Sequence, residues 1–295
     1  MIKYFDNSAT TKIDEKVLTE MLPYLTQNYA NPSAIYSIGK KNKEAITLAR
    51  MRIAESINAN VNEIYFTSGG SESDNLALKG IAFANSRFGN HIITSSFEHA
   101  AILNTCNSLE RFGFRVTYIK PKSNGIIDSN DIERAITKKT ILISIMFANN
   151  EIGTIQPIKE IGEIAKKYNI YFHTDAVQAI GNIEIDVKKL GISSLSMSAH
   201  KFHGPKGVGV LYMKSNVNFI RIQDGGHQEK DMRAGTENVA GIIGTGKALE
   251  IATINLKEHQ IYLKNLRDYC FRELKSKFPN MRINGDLENR LPRKC

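Results

Sequence analysis

The sequence predicts an α/β fold in which a mostly parallel sheet is sandwiched between helices. Three observations carry this: seven short strand-like runs, most of them rich in β-branched residues, amphipathic helical stretches between several of them, and polar or glycine-bearing segments just after the runs end.

Taken in order, "KNKEAITLARMRIAESI" places Ala45, Ile46, Ala49, Ile53 and Ala54 near one face of a helix that precedes the sheet. "EIYFTS" reads as the first strand and leads into a helix from about Glu72, and "HIITSS" leads into another from about His99. "FRVTYI", "TILISIMF", "IYFHT", "SLSMS" and "GVGVLYM" read as the remaining strands. From about Val239 to Lys277 two long helical patterns meet near Asn255. The last stretch, "MRINGDLENRLPRKC", reads as a strand followed by a turn, with no obvious sheet to join. There is no internal repeat or low-complexity linker.

Composition narrows the class. The 295 residues are 42% apolar and 23% charged, as in an ordinary globular protein, and no apolar run approaches membrane-spanning length. The net charge of +9 comes from basic pairs scattered along helical segments, not gathered with aromatics on one stripe, which argues against nucleic acid as the main partner. "MIKYFDNSATT" lacks a basic segment followed by an apolar one, so the expected location is cytoplasmic. Cys106, Cys270 and Cys295 show no paired spacing and read as reduced thiols.

Open α/β sheets bind ligands beyond the carboxyl ends of their strands, and several reactive residues fall there. In "SMSAHKFHGPKG", Lys201 follows a strand beside Ser198 and His200. A lysine is ordinarily a solvated charge, but partial burial and cationic neighbours turn its amine into a nucleophile. "TSGGSESDN" opens a helix, where the Gly70 amide and the Ser71 hydroxyl form a phosphate seat or, equally, a plain loop and cap. Asp175 reads as a helix cap or as the partner of a protonated pyridine nitrogen. His99 can stack on a flat ring and relay protons, and Asn150 can hydrogen-bond a ring hydroxyl or form a turn. Together these parts fit pyridoxal phosphate. A metal site drawn from His173, Asp175, His200 and His203 fits less well, because His-x-x-His on a loop lacks the helical spacing that aims two imidazoles at one ion; no metal is expected.

The stretches "YFDNSATT", "NPSAIYSIG", "FTSGGSESDN", "FEHAAIL", "NNEIGTIQPI", "HTDAVQAIG", "SMSAHKFHGPKG", "RAGTENVAGI" and "NGDLENRLP" resemble, in order from residue 4 to residue 292, the cysteine desulfurases. These are class V, fold-type I pyridoxal phosphate enzymes. The resemblance implies a large cofactor-binding domain over residues 15–250 and an incomplete small domain from 1–14 and 251–295. It implies that Lys201 carries the cofactor and moves the substrate α-proton, and that His99 stacks on the ring and donates protons. Asp175 would pair with the ring nitrogen, Gln178 and Asn150 with the ring oxygen. Gly70, Ser71, Ser198 and His200 would hold the phosphate, and Thr236 would reach the phosphate of a neighbouring subunit in a homodimer. The implied reaction converts L-cysteine to L-alanine and passes sulfur to an acceptor or scaffold protein for iron–sulfur clusters or thiolated tRNA.

The sequence departs from the family pattern in three places. Ser71 stands for the usual threonine and keeps the hydroxyl, whereas Tyr36 stands for a histidine and loses the imidazole. The family's sulfur-accepting cysteine and its carboxylate-gripping arginine lie beyond "NRLP", which is followed here by "RKC". The expectation is therefore a C-terminally truncated desulfurase with impaired or absent sulfur transfer. The alternatives are a non-catalytic cofactor-binding scaffold or partner subunit, and an enzyme resembling selenocysteine lyase.

Overall fold

A computed structural model describes residues 3–294. In chain order the elements are α1 (Glu15–Thr26), α2 (Ser37–Ser56), β1 (Ile64–Thr67), α3 (Gly70–Asn85), β2 (His91–Ser95), α4 (Ala100–Arg111), β3 (Arg115–Ile119) and α5 (Ser129–Ala135). They continue with β4 (Thr140–Ser144), α6 (Ile158–Lys167), β5 (Tyr171–Asp175), β6 (Ser194–Ser198), β7 (Gly209–Met213), α7 (Val239–Ile254) and α8 (Leu256–Lys277). All seven expected strands form, and they make one sheet in the order β1-β7-β6-β5-β4-β2-β3. Strands β6, β5, β4, β2 and β3 are parallel, while β7 runs antiparallel to both β6 and β1.

Side chains alternate across a strand, and the alternation here feeds two apolar layers. Ile93, Ile143, Phe172, Leu195 and Val210 face one layer, which receives Ile46, Ala49, Ile53 and Ala54 of α2 together with Ile242 of α7. Their sequence neighbours Ile92, Leu142 and Leu211 face the opposite layer, against Leu76, Ile81 and Ile102 of α3 and α4. Strands buried on both faces need no polar side, which is why "HIITS" and "TILIS" read as nearly continuous apolar runs.

The two late helices break at Asn255 with a bend of 73°. No single helix among the described residues is long and apolar enough to cross a membrane.

One element differs from the sequence expectation. Residues 281–284 form no strand; the chain instead returns across the site, where Arg290 makes an isolated antiparallel bridge to Thr154. The cause is local: Gly285 adopts φ +87°, and the Asp286 carboxylate accepts from the amides of Glu288 (2.9 Å) and Asn289 (2.7 Å), closing a turn before a ladder can extend.

Candidate active site

Period-2 geometry gathers the site. His173 and Asp175 share one face of β5, Ser196 and Ser198 share the same face of β6, and α3 lies across that face, bringing Gly70, Ser71 and Asp74. A cavity of about 470 Å³ opens beyond the carboxyl ends of β2, β4, β5 and β6, within the usual size of a small-molecule site. Lys201, His99, Asp175, Gln178 and Asn150 line it, and at one end so do Gly70, Ser71, Ser198 and His200. Thr236 does not line it; its residue is exposed, beyond the strained loop that follows β7.

Lys201 follows β6 after a single tight helical turn, Ala199–Lys201. Its Nζ donates to the carbonyls of Ser8 (2.5 Å) and Ala9 (2.9 Å), contributed by the segment ahead of α1. That segment is itself tied down, since the Thr11 amide and hydroxyl both donate to the His200 carbonyl at 2.9 and 2.8 Å. Burial lowers the Lys201 amine below the ordinary lysine range, and the nearby Arg293 guanidinium lowers it further, against the carboxylates of Asp175 and Asp6. An amine made less basic in this way is free to attack a carbonyl for more of the time.

The buried Asp175 accepts the Val177 amide at 2.9 Å, so a capping role and a cavity-lining position coexist. Its carboxyl is raised by burial, an effect opposed by the Val177 amide, His99 and Lys201. Gln178 donates to the Ser8 carbonyl at 3.1 Å and accepts from Arg293 at 3.3 Å. His99 caps α4: its Nδ1 accepts the Ala101 amide at 3.1 Å, leaving Nε2 as the ring's donor. The Asn150 amide donates to Glu151 at 2.7 Å, so this side chain sits on the wall engaged by its neighbour.

The phosphate end combines the N-terminus of a 16-residue helix with two hydroxyls and an imidazole. His200 Nδ1 is joined to Thr10 Oγ1 at 3.0 Å, and its ring is lowered by burial and by Lys201 and Lys206. Gly69, which precedes the helix, runs against β7: a Cβ on Gly209 would lie 2.4 Å from the Gly69 carbonyl carbon. Gly209→Ala must therefore displace the helix entry. We expect it to cost about 1–3 kcal/mol in urea unfolding and to weaken cofactor binding in a titration.

Two lining residues, Ser8 and Ala9, and three that lie behind the lining, Arg293, Lys294 and Glu98, carry no individual signal in the sequence. Ser8 and Ala9 arrive from the N-terminal segment, and Arg293 donates to the Lys201 carbonyl at 2.9 Å from the other end of the chain. Lys294 Nζ donates to the Asn150 carbonyl. Glu98, buried, accepts the Ser95 hydroxyl at 2.6 Å and the Met146 amide at 3.0 Å, and burial pushes its carboxyl up to about 8. Asp74 was legible in principle, since it lies four residues after Gly70 and hence on the same helix face.

The histidines weighed as metal ligands are separately engaged. His173 lies between Ser144 (2.9 Å) and Ser196 (3.0 Å), and His203 Nδ1 meets the Lys12 carbonyl at 2.9 Å. Neither Cys106 nor Cys270 lines the cavity. Cys106 is buried in α4, where burial pushes its thiol up to about 12; Cys270 is half-buried on α8. Cys295 lies outside the described residues.

The donor set fits pyridoxal phosphate: an amine of lowered basicity, a carboxylate and an imidazole around one cavity, and helix amides with hydroxyls at one end. Residues 3–294 match the family model "Aminotransferase class-V". The chain is 56% identical over 291 residues to "Cysteine desulfurase IscS" of Clostridium botulinum (strain Hall), covering 98% of this chain and 73% of that protein. It is 57% identical over 288 residues to "Cysteine desulfurase IscS" of Methanosarcina thermophila, covering 98% and 71%. Among solved structures, a "NIFS-LIKE PROTEIN" superposes with TM-score 0.96 at 39% identity, covering 99% of this chain and 80% of that one. "SspA in complex with cysteine" superposes with TM-score 0.82 at 45% identity, covering 84% and 72%.

Proposed function

The chain belongs to the aminotransferase class-V family and, within it, to the cysteine desulfurases, and on that premise we propose that it takes sulfur from L-cysteine and leaves L-alanine. The observation that carries this reading is Lys201: a half-buried amine of lowered basicity, facing the cavity that Asp175 and His99 also line. Pyridoxal phosphate, when bound, supplies an aldehyde for the amine and a protonated ring that draws electrons from the substrate Cα.

The residues divide the work. Gly70, Ser71, Ser198 and His200 would hold the phosphate, Asp175 would keep the ring nitrogen protonated, and Gln178 and Asn150 would serve the ring oxygen. Lys201 would anchor the cofactor and would be the base that takes up the substrate Cα proton and gives it back. His99, with Nδ1 occupied by the helix amide, has Nε2 to donate. Residues 15–250 form the cofactor-binding unit in this reading, and residues 1–14 and 251–295 belong to the smaller one. The exposure of Thr236 outside its own chain's cavity supports a homodimer in which it serves the neighbouring subunit. We place the enzyme in the cytoplasm.

Because neither Cys106 nor Cys270 lines the cavity, we assign the attack on the substrate sulfur to a thiolate outside the described residues, such as that of an acceptor protein. The carbon–sulfur bond breaks, the acceptor leaves as a persulfide, and the substrate Cβ gains a proton, so that cysteine plus thiol gives alanine plus persulfide. Delivery to iron–sulfur clusters or thiolated tRNA follows from that product class.

The test is a spectrum of the purified protein with pyridoxal phosphate, before and after L-cysteine, with alanine and sulfide quantified at increasing concentrations of an added thiol. We expect a visible band and alanine formation that rises with thiol. A visible band without alanine would establish the scaffold reading, and alanine from selenocysteine alone would establish a selenocysteine lyase.

A further inference from the structure

One buried acid in the cavity has no assigned role. Asp74, on α3, is 1% exposed and lines the same wall as Asp175. Its Oδ1 is buried with no hydrogen-bond partner among the described residues. The nearest basic atom is His173 Nε2 at 3.7 Å, but burial pulls that imidazole down to about 3, so it is neutral near pH 7 and brings no charge. Asp74, His99 and Asp175 each present one nitrogen or oxygen within 4.8 Å of the others. Two carboxylates this close in a dry site do not both ionise.

The two acids are not equivalent. Asp175 accepts an amide hydrogen from Val177 at 2.9 Å, which stabilises its charged form, whereas Asp74 Oδ1 has no partner among the described residues and only the Ser196 hydroxyl opposes the effect of burial on this carboxyl. An unmatched buried carboxylate oxygen is costly, while a protonated carboxyl there carries no charge and offers a donor. We propose that Asp74 is a positioning residue that holds a proton shared with Asp175, so that the two acids together present a single negative charge to the ring nitrogen of bound pyridoxal phosphate. This rests on the cofactor reading above. The groups facing the pair are His173 on β5, Glu98 and His99 after β2, and Lys201 after β6. Burial, and then the Asp175 charge, raise the Asp74 carboxyl well above the usual carboxylate range, in keeping with the geometry.

A carboxyl raised on folding contributes stability that is complete below the unfolded aspartate value and is lost as pH rises through its folded value. Asp74→Asn imitates the neutral acid and removes that loss. In the full chain without cofactor, its Tm should gain on the parent as pH rises from about 5 to about 8, reaching an advantage of about 2–4 °C. With cofactor, Asp74→Asn should bind pyridoxal phosphate at least about tenfold more tightly than Asp175→Asn, because only the latter removes the ionised partner. Parallel Tm profiles of parent and variant, or equal cofactor affinities of the two variants, would overturn the proposal.

Should Asp74→Asn fail to fold, the parent labelled with γ-¹³C aspartate decides the matter. One aspartate carboxyl must keep a protonated chemical shift near neutral pH, and a spectrum with every aspartate ionised refutes the shared proton. A parent that binds no pyridoxal phosphate would sink the cofactor reading instead, and the cofactor-free Tm profile and carboxyl spectrum would still decide the proton.

Discussion

Lys201→Ala is expected to abolish the visible band of the cofactor-bound protein and to reduce alanine formation from L-cysteine by ~10³-fold or more, the scale on which enzymes depend on a positioned proton-transfer group. The size of the effect follows from the position of the amine. Lys201 Nζ faces the cavity shared with Asp175 and is held by the Ser8 and Ala9 carbonyls, and among the described residues no other lysine lines that cavity. Removal takes one donor from each of those two carbonyls, of which Ser8 keeps Gln178, and disturbs no apolar packing, so the variant should fold. Urea unfolding run beside the activity assay separates lost chemistry from lost structure. Retention of the band or of turnover above a few per cent would remove Lys201 from the mechanism.

Glu229→Ala should produce the largest stability loss of any single polar substitution considered, about 3–5 kcal/mol in urea unfolding. Its carboxylate is 4% exposed and accepts both terminal nitrogens of Arg50 at 2.7 Å each, along with the Phe66 amide at 2.8 Å. Arg50, 11% exposed, also donates to the Ile64 carbonyl at 2.6 Å and stacks on the Phe66 ring at 4.7 Å. Without Glu229 a buried guanidinium charge remains unpaired, which is the costly half of a broken buried pair.

The backbone adds to the loss. Glu229, Lys230 and Asp231 have φ of 45°, 57° and 66°, a left-handed run that non-glycine residues adopt only when surrounding contacts hold it. The double replacement Arg50→Met with Glu229→Met should recover part of the loss, because it removes both charges at once. A single-variant cost below about 1 kcal/mol would show that this pair does not hold the loop.

The site was legible where its residues sit next to strand ends in the chain. Lys201, His99, Asp175, Ser71 and Ser198 each follow or close an apolar run, and strand periodicity alone carries such residues to one edge of the sheet. The strand expected after Met281 failed because a strand needs a partner, and Gly285 with Asp286 turns the chain before one is reached. Ser8, Ala9 and Arg293 escaped notice because they reach Lys201 across gaps of 193, 192 and 92 residues, distances over which neither periodicity nor spacing carries information.

What the sequence determined by itself is the α/β architecture and the set of reactive groups at its strand ends, since nearly continuous apolar runs oblige those strands to be buried on both faces and their polar termini to emerge together. Only the tertiary structure decided the electrical state of the site. The lowered amine of Lys201 and the orphaned oxygen of Asp74 depend on desolvation and on neighbours brought in from distant parts of the chain, and burial by remote segments is a property of the packed whole.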